Sequence, residues 1–128
     1  MKYSLASDTW GIEEKNAIQR VIDSNRYTMG AEVAAFEEEF AKYIGSKYAV
    51  MVNSGSSANL LSIAALRYSN NYDLQPGDEV IVPAVSWSTT YFPLHQYGLI
   101  PVFVDIDSAT LNIDTKEVEK AITPKTKA

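Results

Sequence analysis

The sequence predicts an α/β fold with a mostly parallel sheet flanked by helices. Short apolar runs of strand-forming residues alternate with amphipathic stretches of helical period, and a polar turn follows each of the first two runs. Strands that alternate with helices favour parallel pairing through helical crossovers. The predicted order is α-α-β-α-β-α-β-α.

The first part of the chain predicts two amphipathic helices. Residues 12–24 carry Ile18, Val21 and Ile22 at helical spacing, with charged residues on the other side. A loop over 25–30 precedes the second helix, whose apolar face consists of Val33, Phe36, Phe40 and Tyr43, and which Gly45 ends.

Three apolar runs predict strands, and the residues between them predict further helices. The strands are expected at 48–52, 79–82 and 101–105, with the first buried on both faces. Helices are expected at 58–66, at about 88–97, and at 115–121 with Thr115 as the N-cap. Pro93 is tolerable only in an early turn of the second of these helices.

The length of 128 residues fits one domain by the usual prior of roughly 100–200 residues. We expect a helical arm over about 1–45 and an α/β part over about 46–128. From Thr123 the sequence resembles a turn that leads into another strand. Since three parallel strands leave both sheet edges open, we expect the chain to be the N-terminal segment of a larger domain.

The composition narrows the possible partners. The chain has no cysteine, which excludes disulfides and cysteine-based metal or redox sites. Its net charge of −5 argues against nucleic acid and anionic membranes as partners. No stretch approaches the ~20 apolar residues of a membrane-spanning helix, and the N-terminus lacks a signal-peptide pattern. We therefore expect a cytoplasmic protein.

The turn from Asn53 to Ala58 is the first candidate for a binding site. Its sequence, Asn-Ser-Gly-Ser-Ser-Ala, places small polar residues between a predicted buried strand and a helix. Free amides at a helix N-terminus, the helix dipole and the hydroxyls of Ser56 and Ser57 together suit a phosphate. A simple serine N-cap explains the same residues. The pattern is neither a P-loop nor a dinucleotide fingerprint.

The second candidate is the loop that follows the next strand, Pro83 to Thr90. Trp87 in this loop offers a flat aromatic face to a ligand, although for this residue taken alone a core position in the next helix is slightly favoured. Both loops follow buried strands, so they should emerge on the same edge of a parallel sheet. One loop that holds a phosphate and another that stacks on a ring suit a phosphorylated aromatic cofactor.

Other polar residues have structural explanations. His95 is the single histidine and has no identifiable catalytic partner. Asp105 and Asp107 are spaced so that they could bind a metal or act as acid and base, but turn-forming aspartates explain them as well. We favour the structural interpretation for all three residues.

Taken together, these motifs resemble the DegT/StrS family of pyridoxal-phosphate-dependent enzymes that modify nucleotide sugars. The resemblance covers nearly the whole chain. Its matching pieces are Tyr-Thr-Met-Gly from Tyr27, Gly-Ser-Lys-Tyr-Ala-Val from Gly45, Asn-Ser-Gly-Ser-Ser-Ala-Asn-Leu from Asn53, Pro-Gly-Asp-Glu-Val-Ile-Val-Pro from Pro76, and Gly-Leu-Ile-Pro-Val-Phe-Val-Asp-Ile-Asp from Gly98.

The resemblance implies the aspartate-aminotransferase fold (fold type I), of whose large domain this chain would be the N-terminal part. It implies a homodimer with pyridoxal 5'-phosphate (PLP) or pyridoxamine 5'-phosphate (PMP) as cofactor. Gly55, Ser56 and Ser57 match the family's phosphate-binding turn, and Trp87 matches the aromatic residue that lies against the pyridine ring. The family's Lys or His at the cofactor and the acid on the pyridine nitrogen are expected downstream of Ala128. We therefore predict no turnover by the chain alone.

Details of the two turns indicate a branch of the family. Most aminotransferases of the family have Ser-Gly-Thr-Ala-Ala and Thr-Phe where this chain has Ser-Gly-Ser-Ser-Ala and Ser-Trp. These features are more similar to the branch of GDP-4-keto-6-deoxymannose 3-dehydratases, which implies removal of a sugar 3-hydroxyl in the biosynthesis of O-antigen-type (lipopolysaccharide) sugars. The alternatives are a nucleotide-sugar aminotransferase that uses glutamate as amino donor, and a non-catalytic α/β module that binds phosphate or nucleotide. A nucleotide-linked keto sugar is the expected substrate.

Overall fold

A computed structural model describes residues 7–128, which form two compact units, one ending at Met51 and one spanning Val52–Ala128. In chain order the elements are α1 (Ile12–Ser24), α2 (Ala31–Ile44), α3 (Gly55–Tyr68), β1 (Glu79–Pro83), a 3-10 turn (Ser88–Thr90), α4 (Phe92–Gln96), β2 (Ile100–Val104) and α5 (Thr115–Ala121). No helix in the described part of the chain has the length and apolar character that crossing a bilayer requires.

The unit that ends at Met51 is helical, as the periodicity predicts. Asn25 ends α1 and Gly45 ends α2, both in the left-handed conformation, with φ of 54° and 78°. Gly45 is the predicted helix stop, and its lack of a side chain permits this conformation. In α2 the apolar face brings Phe36 and Phe40 together, with ring centroids 5.5 Å apart.

The strand predicted at 48–52 is not formed. Residues 49–52 have no regular secondary structure, and Tyr48 and Val50 are 74% and 76% exposed. The Met51 amide donates a hydrogen bond to the Glu37 carboxylate at 2.8 Å, not to a neighbouring strand. A strand needs a hydrogen-bonded partner, and no segment among residues 7–128 pairs with this one.

The predicted parallel pairing is present in the second unit. β1 and β2 pair in parallel, with Glu79 opposite Ile100 and Pro83 opposite Val104. The last residues of the chain pair with β1 in parallel as well, because the Ile81 amide donates to the carbonyl of Ala128 at 2.9 Å. The expected turn toward a further strand is therefore confirmed, while the sheet itself has two strands instead of the three predicted.

A small apolar core fixes the helices against this sheet. Leu74, Val80, Val82, Leu94 and Leu99 form the buried cluster. Ile63 and Leu66 of α3 and two tyrosines pack against it. Because α3 and α4 share this core, the N-terminal half of α3 lies close to the residues that follow β1.

Three helix boundaries differ from the sequence expectation. α3 begins at Gly55 instead of Ala58, because Ser54 serves as its N-cap. The helix expected at 88–97 is divided into a 3-10 turn and α4, since Pro93 lacks an amide hydrogen and fits only the first turn of a helix. Asp114 and not Thr115 caps α5, because its carboxylate accepts the Lys116 amide at 2.8 Å.

Tyr91 ties the loop after β1 to the strand end. Its hydroxyl donates to the Pro83 carbonyl at 2.9 Å, and its ring packs edge-on against Phe103 at 5.0 Å. We expect Tyr91→Phe to lower the free energy of unfolding by about 1 kcal/mol, the usual net value of such a hydrogen bond. Urea denaturation measures this. Tyr72→Phe is the control, because no hydrogen bond of the Tyr72 hydroxyl is found within residues 7–128; equal losses in both variants would contradict the assignment.

Candidate cofactor-binding site

The serine-rich turn forms the first turn of α3. Ser54 has extended backbone angles (φ −164°, ψ 161°), and its hydroxyl oxygen accepts the Ser57 amide at 3.2 Å. Its carbonyl accepts the Ala58 amide at 3.0 Å. This is the arrangement that a serine N-cap favours, because the first amides of a helix lack partners within the helix.

The two serines expected to donate to a phosphate differ in their hydrogen bonds. The Ser57 hydroxyl donates to Oδ1 of Asn53 at 2.6 Å and accepts from the Ser54 hydroxyl at 3.2 Å. Within residues 7–128 the Ser56 hydroxyl and the amides of Gly55 and Ser56 have no hydrogen-bond partner. The side-chain donor at this turn that is free for a ligand is therefore Ser56, while Ser57 stabilises the turn.

Gly55 leaves the start of α3 open. A Cβ placed on Gly55 would have no heavy atom within 4 Å, and its φ does not lie in the left-handed region. The backbone conformation therefore does not require glycine here. What the missing side chain provides is free approach of a ligand to the amides at the positive end of the helix dipole.

Trp87 lies at the start of the 3-10 turn that follows β1. Its carbonyl accepts the Thr90 amide at 2.9 Å, and the side chain is 74% exposed. The hydroxyls of Ser86 and Thr90 lie 3.1 Å apart and close the same turn. The interpretation of Trp87 as a core residue is wrong, because most of its surface is accessible to solvent.

The two loops meet beside α3. Asn59 Nδ2 donates to the Thr89 carbonyl at 3.3 Å, and a cavity of about 180 Å³ lies between the first turns of α3 and the 3-10 turn. Its lining includes Ser56, Ser57, Leu60, Thr89, Phe92 and Gln96. Trp87 precedes this lining by two residues and is not part of it. The cavity is smaller than the ~300 Å³ of a whole-ligand pocket and fits a phosphate group.

Thr89 and Asn59 are residues that the sequence analysis did not single out. Asn59 follows Ser56 by three residues, and residues at this spacing lie on the same face of a helix. The spacing would have predicted the position of Asn59 if the start of α3 had been known. Thr89 gave no such signal, since its contact with α3 depends on how the two loops pack.

Of the other polar candidates, the two aspartates make the local hydrogen bonds expected of turn residues. His95 is exposed on α4. The Asp107 carboxylate accepts the amides of Thr110 and Ala109 at 2.8 and 2.9 Å, and these bonds hold its pKa below the usual value. Asp105 accepts the Ile106 amide at 2.7 Å. The described residues contain no group of three or more acids or histidines placed to hold a metal ion.

The hydrogen bonds at the start of α3 predict different effects on stability for substitution of Ser54 and of Ser56. We expect Ser54→Ala to lower the free energy of unfolding by about 1 kcal/mol, because the N-cap is lost. Ser56→Ala should leave it unchanged within about 0.5 kcal/mol. Chemical denaturation of the two variants checks this, and a larger loss for Ser56→Ala than for Ser54→Ala would contradict the proposed division of roles.

Comparisons with known proteins show which proteins the chain is similar to in sequence and fold. The GDP-4-keto-6-deoxy-D-mannose 3-dehydratase of Yersinia pseudotuberculosis is 62% identical over 128 residues, all of this chain and 33% of the relative. The structure of the E. coli GDP-4-keto-6-deoxy-D-mannose-3-dehydratase with bound hydrated PLP superposes with a TM-score of 0.91 at 59% identity, covering 98% of this chain and 32% of that one. A dTDP-3-amino-3,6-dideoxy-alpha-D-galactopyranose transaminase of Aneurinibacillus thermoaerophilus is 40% identical over 116 residues, 91% of this chain and 30% of the relative.

The chain thus spans about a third of the length of the curated relatives it matches. Its α/β arrangement is that of the corresponding part of fold type I enzymes, as the sequence predicts. The model of the DegT/DnrJ/EryC1/StrS aminotransferase family matches residues 9–128, and the chain belongs to this family.

Proposed function

We propose that this chain is the cofactor-binding part of a PLP- or PMP-dependent enzyme that removes the 3-hydroxyl of a nucleotide-linked 4-keto-6-deoxy sugar. The observation that carries the proposal is the meeting of two loops at one cavity, the serine-rich start of α3 and the Trp87 loop after β1. Similarity over the whole chain to a 3-dehydratase supports the reaction class.

The residues present fit the phosphate of the cofactor. The amides of Gly55 and Ser56 and the hydroxyl of Ser56 supply three donors at the positive end of α3. Ser57 holds these groups in place through Asn53. Trp87, with its ring exposed, would lie against the pyridine.

When bound, the cofactor would act as an electron sink for the carbon next to the amino-linked position of the sugar. The residues described here would orient it and do not transfer protons. Among the described residues that line the cavity, none is acidic, basic or a histidine. Since the reaction needs a group that moves protons, we expect this chain by itself to bind cofactor without turnover.

The dehydratase is favoured over the aminotransferase by the identity of residue 57. The family resemblance implies alanine at this position in most aminotransferases. An alanine could not make the hydrogen bonds that the Ser57 hydroxyl makes with Asn53 and Ser54. The identity of 62% to the dehydratase against 40% to the transaminase agrees with this. The resemblance implies glutamate as the nitrogen source for either reaction.

Product analysis separates these reactions. The longest protein produced from the gene is incubated with cofactor, glutamate and GDP-4-keto-6-deoxymannose. We expect mass spectrometry to show a sugar product that has lost the oxygen at C3. A product in which an amino group replaces the keto oxygen would instead establish the aminotransferase.

We also propose that the enzyme is a cytoplasmic homodimer. The exposed apolar side chains of the helical unit support self-association, since patches of this kind mark interfaces; on α2 and the residues after it they are Phe36, Phe40, Tyr43, Ile44, Tyr48 and Val50. Sedimentation equilibrium tests the oligomeric state, and a monomer at all concentrations would contradict it.

Cofactor binding is testable with PMP, which, lacking an aldehyde, does not react with the eight lysines of the chain. In a Trp10→Phe background, where Trp87 is the single tryptophan, we expect PMP to quench the fluorescence of Trp87. Ser56→Ala should weaken binding about tenfold, as expected for loss of a hydrogen bond to a charged group.

Ser62→Ala is the matched control, because Ser62 lies on α3 and donates to the Ala58 carbonyl at 2.9 Å, away from the first turn. Quenching that is equal in the Ser56 and Ser62 variants would contradict the phosphate site. Displacement of PMP by an excess of guanosine monophosphate, with the nucleotide binding more tightly, would instead favour the non-catalytic nucleotide module.

A further inference from the structure

The helical unit contains a second cavity that the proposed cofactor site does not use. It has a volume of about 340 Å³ and lies between the end of α1, the loop over 25–30 and the start of α2. The residues relevant to its chemistry are Arg20, Val21, Arg26, Tyr27, Glu32 and Val33.

The charge of this cavity is opposite to that of the chain. Two of the three arginines of the sequence, Arg20 and Arg26, line it, and Glu32 is the single acid among the described residues of the lining. The lining therefore carries a net charge of +1 (two arginines minus one glutamate), whereas the chain carries −5. A local excess of guanidinium groups in an acidic chain favours an anionic ligand.

The two arginines differ in availability. Arg20 Nε lies 3.0 Å from Glu32 Oε1, so its guanidinium is partly neutralised. The Arg26 side chain makes no ion pair or hydrogen bond with any residue from 7 to 128, while its backbone amide donates to Ser24 Oγ at 3.1 Å. The backbone at Arg26 is thus fixed, and its guanidinium is free to bind a ligand.

The rest of the lining supplies apolar and aromatic surface. Val21 and Val33 are half-buried, and Tyr27 is 65% exposed with its hydroxyl 3.4 Å from Asn25 Oδ1. A Cβ on Gly30 would lie 3.2 Å from the Arg26 carbonyl oxygen. The missing side chain at Gly30 therefore allows the Arg26 carbonyl to approach the start of α2 closely, which helps to fix the loop at the cavity. An anion attached to a flat ring system suits such a lining.

We propose that this cavity binds a nucleoside diphosphate, with Arg26 and Arg20 on the phosphates and Tyr27 against the base. Arginine is the residue best suited to phosphate groups, because its planar guanidinium can make two parallel hydrogen bonds. The choice of a nucleoside diphosphate as occupant rests on the nucleotide-linked substrate proposed above, whereas the preference for an anion rests on this cavity alone.

Calorimetric titration of the full chain with GDP tests the proposal at low salt, where exposed charges are least screened. We expect Arg26→Gln to weaken GDP binding about tenfold, the usual effect of losing a hydrogen bond between charged groups. Lys15→Gln is the matched control. It also removes one positive charge, but from a residue of α1 that lies outside the cavity lining.

Glu32→Gln supplies a test with the opposite sign. It releases Arg20 and removes the single negative charge of the lining, so it should strengthen GDP binding about threefold, the magnitude of an exposed ion pair. A variant that acted only by damaging the fold would not tighten binding. Circular dichroism of each variant checks that the helices are retained.

Two further ligands separate the parts of the nucleotide. Pyrophosphate should bind more weakly than GDP yet show the same dependence on Arg26, and guanosine should depend on Tyr27→Ala. Equal GDP affinity in the Arg26 and Lys15 variants would overturn the proposal. GDP binding that is lost in Ser56→Ala and retained in Arg26→Gln would overturn it too, and would place the nucleotide at α3. If the chain binds GDP and does not bind PMP, the cofactor proposal is rejected while the present proposal stands.

Discussion

The hydrogen bond from the Ser57 amide to the Ser54 hydroxyl is the contact on which the candidate site depends. It fixes where α3 begins, and it consumes one of the amides that the helix would otherwise present to a ligand. The amides of Gly55 and Ser56 are left accessible at the same helix end. Packing of Ile63 and Leu66 on the core then holds this end beside the loop after β1.

Much of the fold and both loops of the site were predictable, because the relevant signals are local. β1 and β2 begin and end within one residue of the apolar runs, which turn and helix-stop residues such as Pro76, Gly77 and Gly98 delimit. The serine-rich turn and the Trp87 loop of the candidate site were recognised from small residues and one aromatic residue beside predicted strand ends. Their proximity was expected from two neighbouring parallel strands, but the strand before the serine-rich turn is not formed. Packing of α3 on the core brings the two loops together instead.

The features that the sequence could not reveal depend on contacts with distant residues or on the hydrogen bonds that individual side chains make. The run at 48–52 has the composition of a buried strand, yet pairing is a property of two segments and not of one. The contact between Asn59 and Thr89 joins residues 30 apart and follows from packing. The difference between Ser56 and Ser57 is not visible in a Ser-Ser dipeptide, because it depends on which hydroxyl lies within hydrogen-bond distance of Asn53 and Ser54.

Among residues 7–128, none of those that line the cavity beside Ser56 has an ionisable side chain. Because none of these lining groups changes charge near neutral pH, the affinity for a phosphate ester would follow the second ionisation of the ester itself, close to pH 6. Retention of the ligand would then be a property of the ligand's dianion and would stay constant through the neutral and mildly alkaline range. Any pH dependence of the reaction rate would then originate in residues outside this cavity. Cofactor affinity and reaction rate would therefore be free to vary independently within this family.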